Sequence, residues 1–175
     1  MGVNQEDRRT QILDAAIECF LRYGYAKTSM NDIATACKLS RSLLYLQFKT
    51  KEEIFGAGLT SMFERAYEAA MAVKAKRMSK REKLLGLVDA WVFFDWERIV
   101  ASPHAEELIA EGYRKHPKME GFYKKRSMEL FADLIGDEAL TEVVLLSLKG
   151  LKIDHPSIRV LRARAELLID LVVKR

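Results

Sequence analysis

Arg41, Ser42 and Tyr45 fall on one side of a short segment whose other side is apolar, and together they present hydrogen-bond donors where a DNA groove presents acceptors. A guanidinium can fork onto guanine O6 and N7, a hydroxyl can donate or accept, and a tyrosine can reach a phosphate or lie against a thymine methyl. Leu44 and Phe48, with Leu39 ahead of them, take the inward side. Leu43 and Leu46 are unusually apolar for an outward face, and both thymine-methyl contact and packing against a preceding helix suit them. Two further positions flank this set. Thr28, at a helix start, combines a hydroxyl with unpaired main-chain amides and suits a phosphate, and Lys51 opens the next helix where a second phosphate could sit.

These residues need helices to aim them. Ile12, Ala16, Cys19, Phe20 and Tyr23 recur at spacings of three and four, which predicts a helix from about Gln5 to Tyr23 closed by Gly24. Thr28 and Ser29 offer N-cap oxygens to a short helix carrying Met30, Ile33, Ala34 and Cys37, and Ser40 caps a third. Two short helices joined by a turn of about four residues have helix-turn-helix spacing. Glu52 and Glu53 suit the N-terminus of a long fourth helix with Ile54, Leu59, Met62, Phe63, Ala66, Ala70 and Val73 on one stripe. Helices follow around Leu84 to Phe94, after Ser102-Pro103, after His116-Pro117 as far as Gly136, from Glu138 to about Lys152, and from Pro156 to Val173. The expected fold is all-α with nine helices and no strand-like alternation.

Composition agrees with a packed helical protein. The 175 residues are 49% hydrophobic with only 3 prolines, which excludes disorder, and the formal charge of +4 is too mild to carry an argument alone. Its distribution says more: Lys38, Arg41, Lys49 and Lys51 follow one another with no acidic residue between them. Cys19 and Cys37 occupy small apolar positions and read as reduced packing residues. No apolar run approaches the roughly 18 to 20 residues needed to span a bilayer, no leader-like N-terminus is evident, and a cytoplasmic location is expected.

In the C-terminal body, Met62, Trp91, Phe94, Asp95, Tyr113 and Phe122 are the candidates for a ligand pocket, because aromatic walls with one polar anchor are the usual recipe. Asp95, set among Phe93, Phe94 and Trp96, needs a partner, either a cationic ligand or Arg98. His104, His116 and His155 stand at helix starts without metal-ligand spacing, so no metal or cofactor is expected. No nucleophile elbow or phosphate-cradling glycine loop is present, and enzyme activity has no support in the sequence.

The stretch from Gly24 to Lys51 resembles the N-terminal domain of the TetR family of bacterial regulators. The resemblance is carried by Gly24-Tyr25, Thr28-Ser29, Asp32-Ile33-Ala34, Leu39-Ser40, Leu44-Tyr45, Phe48 and Lys51, in register. It implies a DNA-binding head over 1–50 and a helical ligand-binding and dimerisation domain over 51–175. It also implies base reading by Arg41 and Ser42, and phosphate contacts from Thr28, Tyr45, Gln47 and Lys51. Three positions depart from the family's pattern: Lys38 stands where glycine is common, Ser42-Leu43 replaces a common Gly-Thr pair, and Gln47 replaces a common histidine.

The expected function is therefore a sequence-specific transcriptional regulator, a repressor by default, acting as a homodimer on double-stranded operator DNA and switched by a small-molecule effector. Dimerisation is expected through the last two helices, where Leu145, Leu148, Leu161, Ala165, Leu168 and Val172 exceed what one small bundle should bury. The alternative is a helical protein-interaction module without DNA binding, using Leu43 and Leu46 as its contact patch.

Overall fold

The computed structural model describes residues 5–174; the first four residues of the expected head and Arg175 lie outside them. Among the described residues there are ten α-helices and a π-helical turn, and no strand. The order is α1 (Gln5–Tyr23), α2 (Met30–Ala36), α3 (Arg41–Gln47), α4 (Lys51–Ala75), α5 (Lys80–Leu87), the π-helical turn (Val88–Val92), α6 (Trp96–Val100), α7 (Ala105–Lys115), α8 (Lys118–Ile135), α9 (Glu138–Gly150) and α10 (Ile158–Val173). The all-helical architecture agrees with the sequence, but nine expected helices become ten. The predicted continuous helix around Leu84 to Phe94 widens into the π-helical turn and then breaks, because Asp95 adopts φ +56, which no helix can continue through.

The chain divides into two compact units, one of residues Met1–Phe63 and Ala101–Pro117, the other of Glu64–Val100 and Lys118–Arg175. The sequence divides the chain by function at 50/51. Compactness instead gives the first half of α4 to the head unit and adds α7 to it.

The head unit is built around α1. Ile12, Ala16, Phe20, Ile33, Leu44, Ile54 and Phe55 are all buried in one cluster, so α1, α2, α3 and the start of α4 each place an apolar face into the same core. Phe20, Tyr25 and Phe55 form a ring triad with centroids 5.4, 5.3 and 4.9 Å apart. That triad anchors the α1–α2 loop through Tyr25; each buried ring contributes roughly 1.5 to 3 kcal/mol.

In the second unit α5 packs against α8 and α10, and α8 against α9. Leu84, Leu87, Leu130, Phe131, Val144, Leu148, Leu161 and Ile169 are buried there. Helix starts carry local caps: Ser79 forms a capping box with Glu82, Asp137 accepts from the Leu140 amide and Ser157 caps α10. The surplus of apolar surface on α9 and α10 is real, but it lies elsewhere than expected. Leu148, Leu161, Ala165 and Val172 are buried and Leu145 and Leu168 are half-buried, while Val143, Leu146, Leu167 and Leu171 face outward.

Candidate nucleic-acid interface

Local chemistry fixes the two short helices. Ser29 caps α2: its hydroxyl accepts from the Asp32 amide while the Asp32 carboxylate accepts from the Ser29 amide, and the Ser29 hydroxyl, then its amide, donating to that carboxylate hold the Asp32 carboxyl below its usual range. The turn after α2 is closed by Lys38 at φ +56, with the Leu39 amide donating to the Ala34 carbonyl and the Lys38 amide to that of Thr35. A lysine thus performs the left-handed step that glycine takes at no steric cost, as its departure from the family's pattern requires. Ser40 then caps α3 by accepting from the Leu43 amide.

Helix α3 is two-faced. Leu44 and Phe48 are buried, and Arg41, Ser42, Leu43, Tyr45 and Leu46 are exposed, with Gln47 half-buried beside them. The Ser42 hydroxyl is 3.0 Å from that of Ser40. Of the two readings of Leu43 and Leu46, packing against the first helix does not suit Leu46, which is 72% exposed, while Leu43 is 42% exposed. Two cations that the sequence reading did not assign flank this face. The Arg9 guanidinium lies 4.4 Å over the Phe48 ring, and the Lys49 ammonium donates to the Tyr45 carbonyl at the end of α3. The Arg8-Arg9 pair was the available signal, and α1 packing beside α3 could not be read from spacing.

Two expected phosphate contacts are placed differently. Thr28 is buried, and its hydroxyl donates to the Gly24 carbonyl at 2.7 Å, so it closes the loop instead of presenting a free group. Ser29, not Thr28, is the N-cap. The Lys51 ammonium donates to the carbonyls of Tyr25, Ala26 and Thr28 at 2.7, 3.1 and 2.8 Å and stands 4.6 Å over the Tyr25 ring. Burial, together with the charge of Lys115, lowers its pKa. Both residues shape the α1–α2 loop from inside.

Helix α7 and the residues before it are tied to that loop, to α1 and to the start of α4. Glu107 accepts from the Ala26 amide at 3.2 Å, the Ser102 hydroxyl donates to the Leu21 carbonyl at 2.6 Å, and Lys115 pairs with Glu52 at 2.9 Å. The His116 ring lies so near α4 that a β-carbon on Gly56 would come within 2.5 Å of it. None of these ties is visible in sequence spacing, because they join residues 63 to 81 positions apart.

The expected pocket residues are divided between the two units. Met62 packs against the head core and Tyr113 is exposed on α7, so both belong to the head unit. Trp91, Phe94, Asp95 and Phe122 belong to the second unit. There Trp91 is buried and stacked on Tyr123, and Asp95 is paired with Arg98 at 2.7 Å. Asp95 also lines a surface pocket of about 310 Å³ with Asp89, Phe93, Trp96, Glu97, Arg98, Ile158 and Arg162. Cys19 and Cys37 are free thiols, Cys19 buried and Cys37 half-buried. Among the described residues no cluster of His, Cys, Asp and Glu could hold a metal, and no helix is long and apolar enough to cross a membrane.

The family model for bacterial regulatory proteins of the tetR family matches residues 12–57, the region from within α1 through α2 and α3 to the start of α4. Over 132 residues the chain is 35% identical to the uncharacterized HTH-type transcriptional regulator YezE of Bacillus subtilis, covering 74% of this chain and 68% of that one. The chain belongs to the TetR family. It is also 32% identical over 125 residues to the HTH-type transcriptional repressor Rv1474c of Mycobacterium tuberculosis, covering 71% of this chain and 61% of that repressor. The match therefore spans about three-fifths of Rv1474c. The likeness of fold reaches beyond the head: a TetR transcription regulator from Haloarcula marismortui superposes with a TM-score of 0.75 at 16% identity, over 95% of this chain and 98% of that one.

Proposed function

We propose that this TetR-family chain is a homodimeric transcriptional repressor that reads a palindromic operator with α3 and responds to a small-molecule effector held by its C-terminal part. The observation that carries the reading is the outward face of α3, where Arg41, Ser42, Leu43, Tyr45 and Leu46 stand free of the core on a helix capped at a fixed turn. A helix so presented fits a major groove about 12 Å wide. Arg41 and Ser42 are assigned to base edges, Leu43 and Leu46 to thymine methyls, and Tyr45 and Gln47 to the backbone. Lys49 and Arg9 supply the backbone contacts that Lys51 and Thr28, turned inward, do not.

Functionally the chain is divided into a head, 1–50, and an effector and dimer domain, 51–175. The exposed Val143 and Leu146 on α9 and Leu167 and Leu171 on α10 supply the self-complementary apolar surface. Two heads would then meet successive grooves about 34 to 36 Å apart. Effector binding releases DNA by favouring a state with the wrong head spacing. Helix α7 is tied to the α1–α2 loop through Glu107 and to the start of α4 through Lys115, so it belongs to the head it would help to position.

Selection from a randomised duplex library at moderate salt tests the reading. A palindrome with half-sites one helical turn apart is expected. Retention without sequence preference even at low salt would reject it in favour of a protein-interaction module built on the exposed Leu46.

A further inference from the structure

The Arg126 guanidinium lies 4.3 Å over the Tyr67 ring and 5.4 Å from the centre of the Phe122 ring. Behind Tyr67 the aromatic surface continues: Trp91 meets it edge-on at 6.0 Å and stacks on Tyr123 at 4.9 Å with an interplanar angle of 11°. The indole is fixed by donating to the Ser127 hydroxyl at 2.8 Å, and that hydroxyl donates in turn to the Tyr123 carbonyl. Beside the rings, at the hydroxyl edge of Tyr67, stands the Glu129 carboxylate, which accepts from Arg126 at 2.9 Å and from the Tyr67 hydroxyl at 3.4 Å.

Ring faces plus one carboxylate make a receptor for a cation, and here the chain's own cation fills it. Arg126 and Glu129 are three residues apart on α8 and their side chains are 36% and 37% exposed. Such a pair is held weakly, and its guanidinium can leave without opening the core.

We propose that this cluster is a binding site for a small organic cation of the guanidinium or quaternary ammonium class, which enters by displacing Arg126 from Tyr67 and Phe122. The carboxylate and the two rings then serve the ligand, and Arg126 turns to water. The proposal gives a ligand class to the effector-binding role assigned to the second unit, and it rests on that role.

The test is calorimetric titration of the full chain with benzyltrimethylammonium, with benzyl alcohol as the uncharged control. Saturable binding of the cation and none of the alcohol is expected. Arg126→Gln removes the tethered competitor and should tighten cation binding about tenfold. Glu129→Gln in that background should abolish the gain, as should Tyr67→Leu or, if that variant does not fold by circular dichroism, the exposed Phe122→Leu. Equal binding of the alcohol, no binding by Arg126→Gln, or weaker binding than wild type would overturn the proposal. Operator binding by the same proteins separates the two readings: a chain that holds DNA but not the cation rejects only this site, and one that holds the cation but not DNA rejects only the repressor.

Discussion

Lys51 Nζ lies 2.8 Å from the carbonyl oxygen of Thr28, and its other two N–H groups reach the carbonyls of Tyr25 and Ala26. An ammonium with all three donors engaged is a tie, not a free positive charge. Lys51→Met should therefore destabilise the fold by roughly 1 to 3 kcal/mol, the cost of orphaned carbonyls. It should leave the salt dependence of DNA binding unchanged. A phosphate contact would instead reduce the log–log slope by about 0.9, so binding measured across a salt series decides the matter.

Arg41 is the opposite case, exposed in the first turn of α3. Arg41→Ala should weaken operator binding by roughly 1 to 3 kcal/mol and relax preference at one base pair. Its thermal midpoint should stay at the wild-type value. Fluorescence anisotropy on the selected operator and on single-base variants checks both parts; a uniform loss over all variants would make Arg41 a backbone contact.

Lys38 carries a left-handed conformation at φ +56 on a residue with a β-carbon. The strain costs roughly 1 to 2 kcal/mol, part of which a glycine returns as extra freedom of the unfolded chain. Lys38→Gly should stabilise the protein by about 0.5 to 1 kcal/mol in urea unfolding. Lys38→Ala, which keeps the β-carbon, should not.

What could be read from the sequence follows from what is local. The caps at Ser29 and Ser40, the inward Leu44 and Phe48 and the outward Arg41 and Tyr45 are properties of period and spacing, and the fold bears them out. The inward hydrogen bonding of Thr28 and Lys51 is not legible in spacing, because it depends on Tyr25 packing against Phe20 and Phe55, a tertiary event. Nothing in the periodicity of α7 says that Tyr113 joins the head unit. On α9 and α10 the excess of apolar residues was evident, yet both sides of each helix are apolar, so periodicity could not choose the buried one.

That distinction can be tested by mutation. Leu146 is 63% exposed and Leu148, two residues on, is fully buried. Leu146→Glu with Leu171→Glu should convert a dimer to a folded monomer in sedimentation velocity and weaken operator binding. Leu148→Ala should instead cost roughly 2 to 5 kcal/mol of stability with the association state of the folded fraction unchanged. A dimer that survives both exposed charges would place the subunit interface elsewhere.

Lys152 yields a pH dependence whose sign can be fixed in advance. Its ammonium donates to the Val92 carbonyl at 3.3 Å and lies 5.6 Å over the Trp96 ring, and burial, with the charge of Lys149, brings its pKa from 10.5 down to about 8. Above pH 10.5 the amine is neutral in both states and no penalty exists. As pH falls toward 8 the unfolded chain takes up a proton that the folded chain refuses, so stability falls; below 8 the penalty is constant. The whole step amounts to roughly 3 kcal/mol at most. Lys152→Met lacks it, while the raised Cys19, Cys37 and Tyr25 groups titrate alike in both proteins and cancel in the difference. Urea unfolding at intervals from pH 7 to 10.5 should therefore show the wild type gaining stability on the variant as pH rises, and parallel curves would mean that Lys152 is solvated in the folded protein.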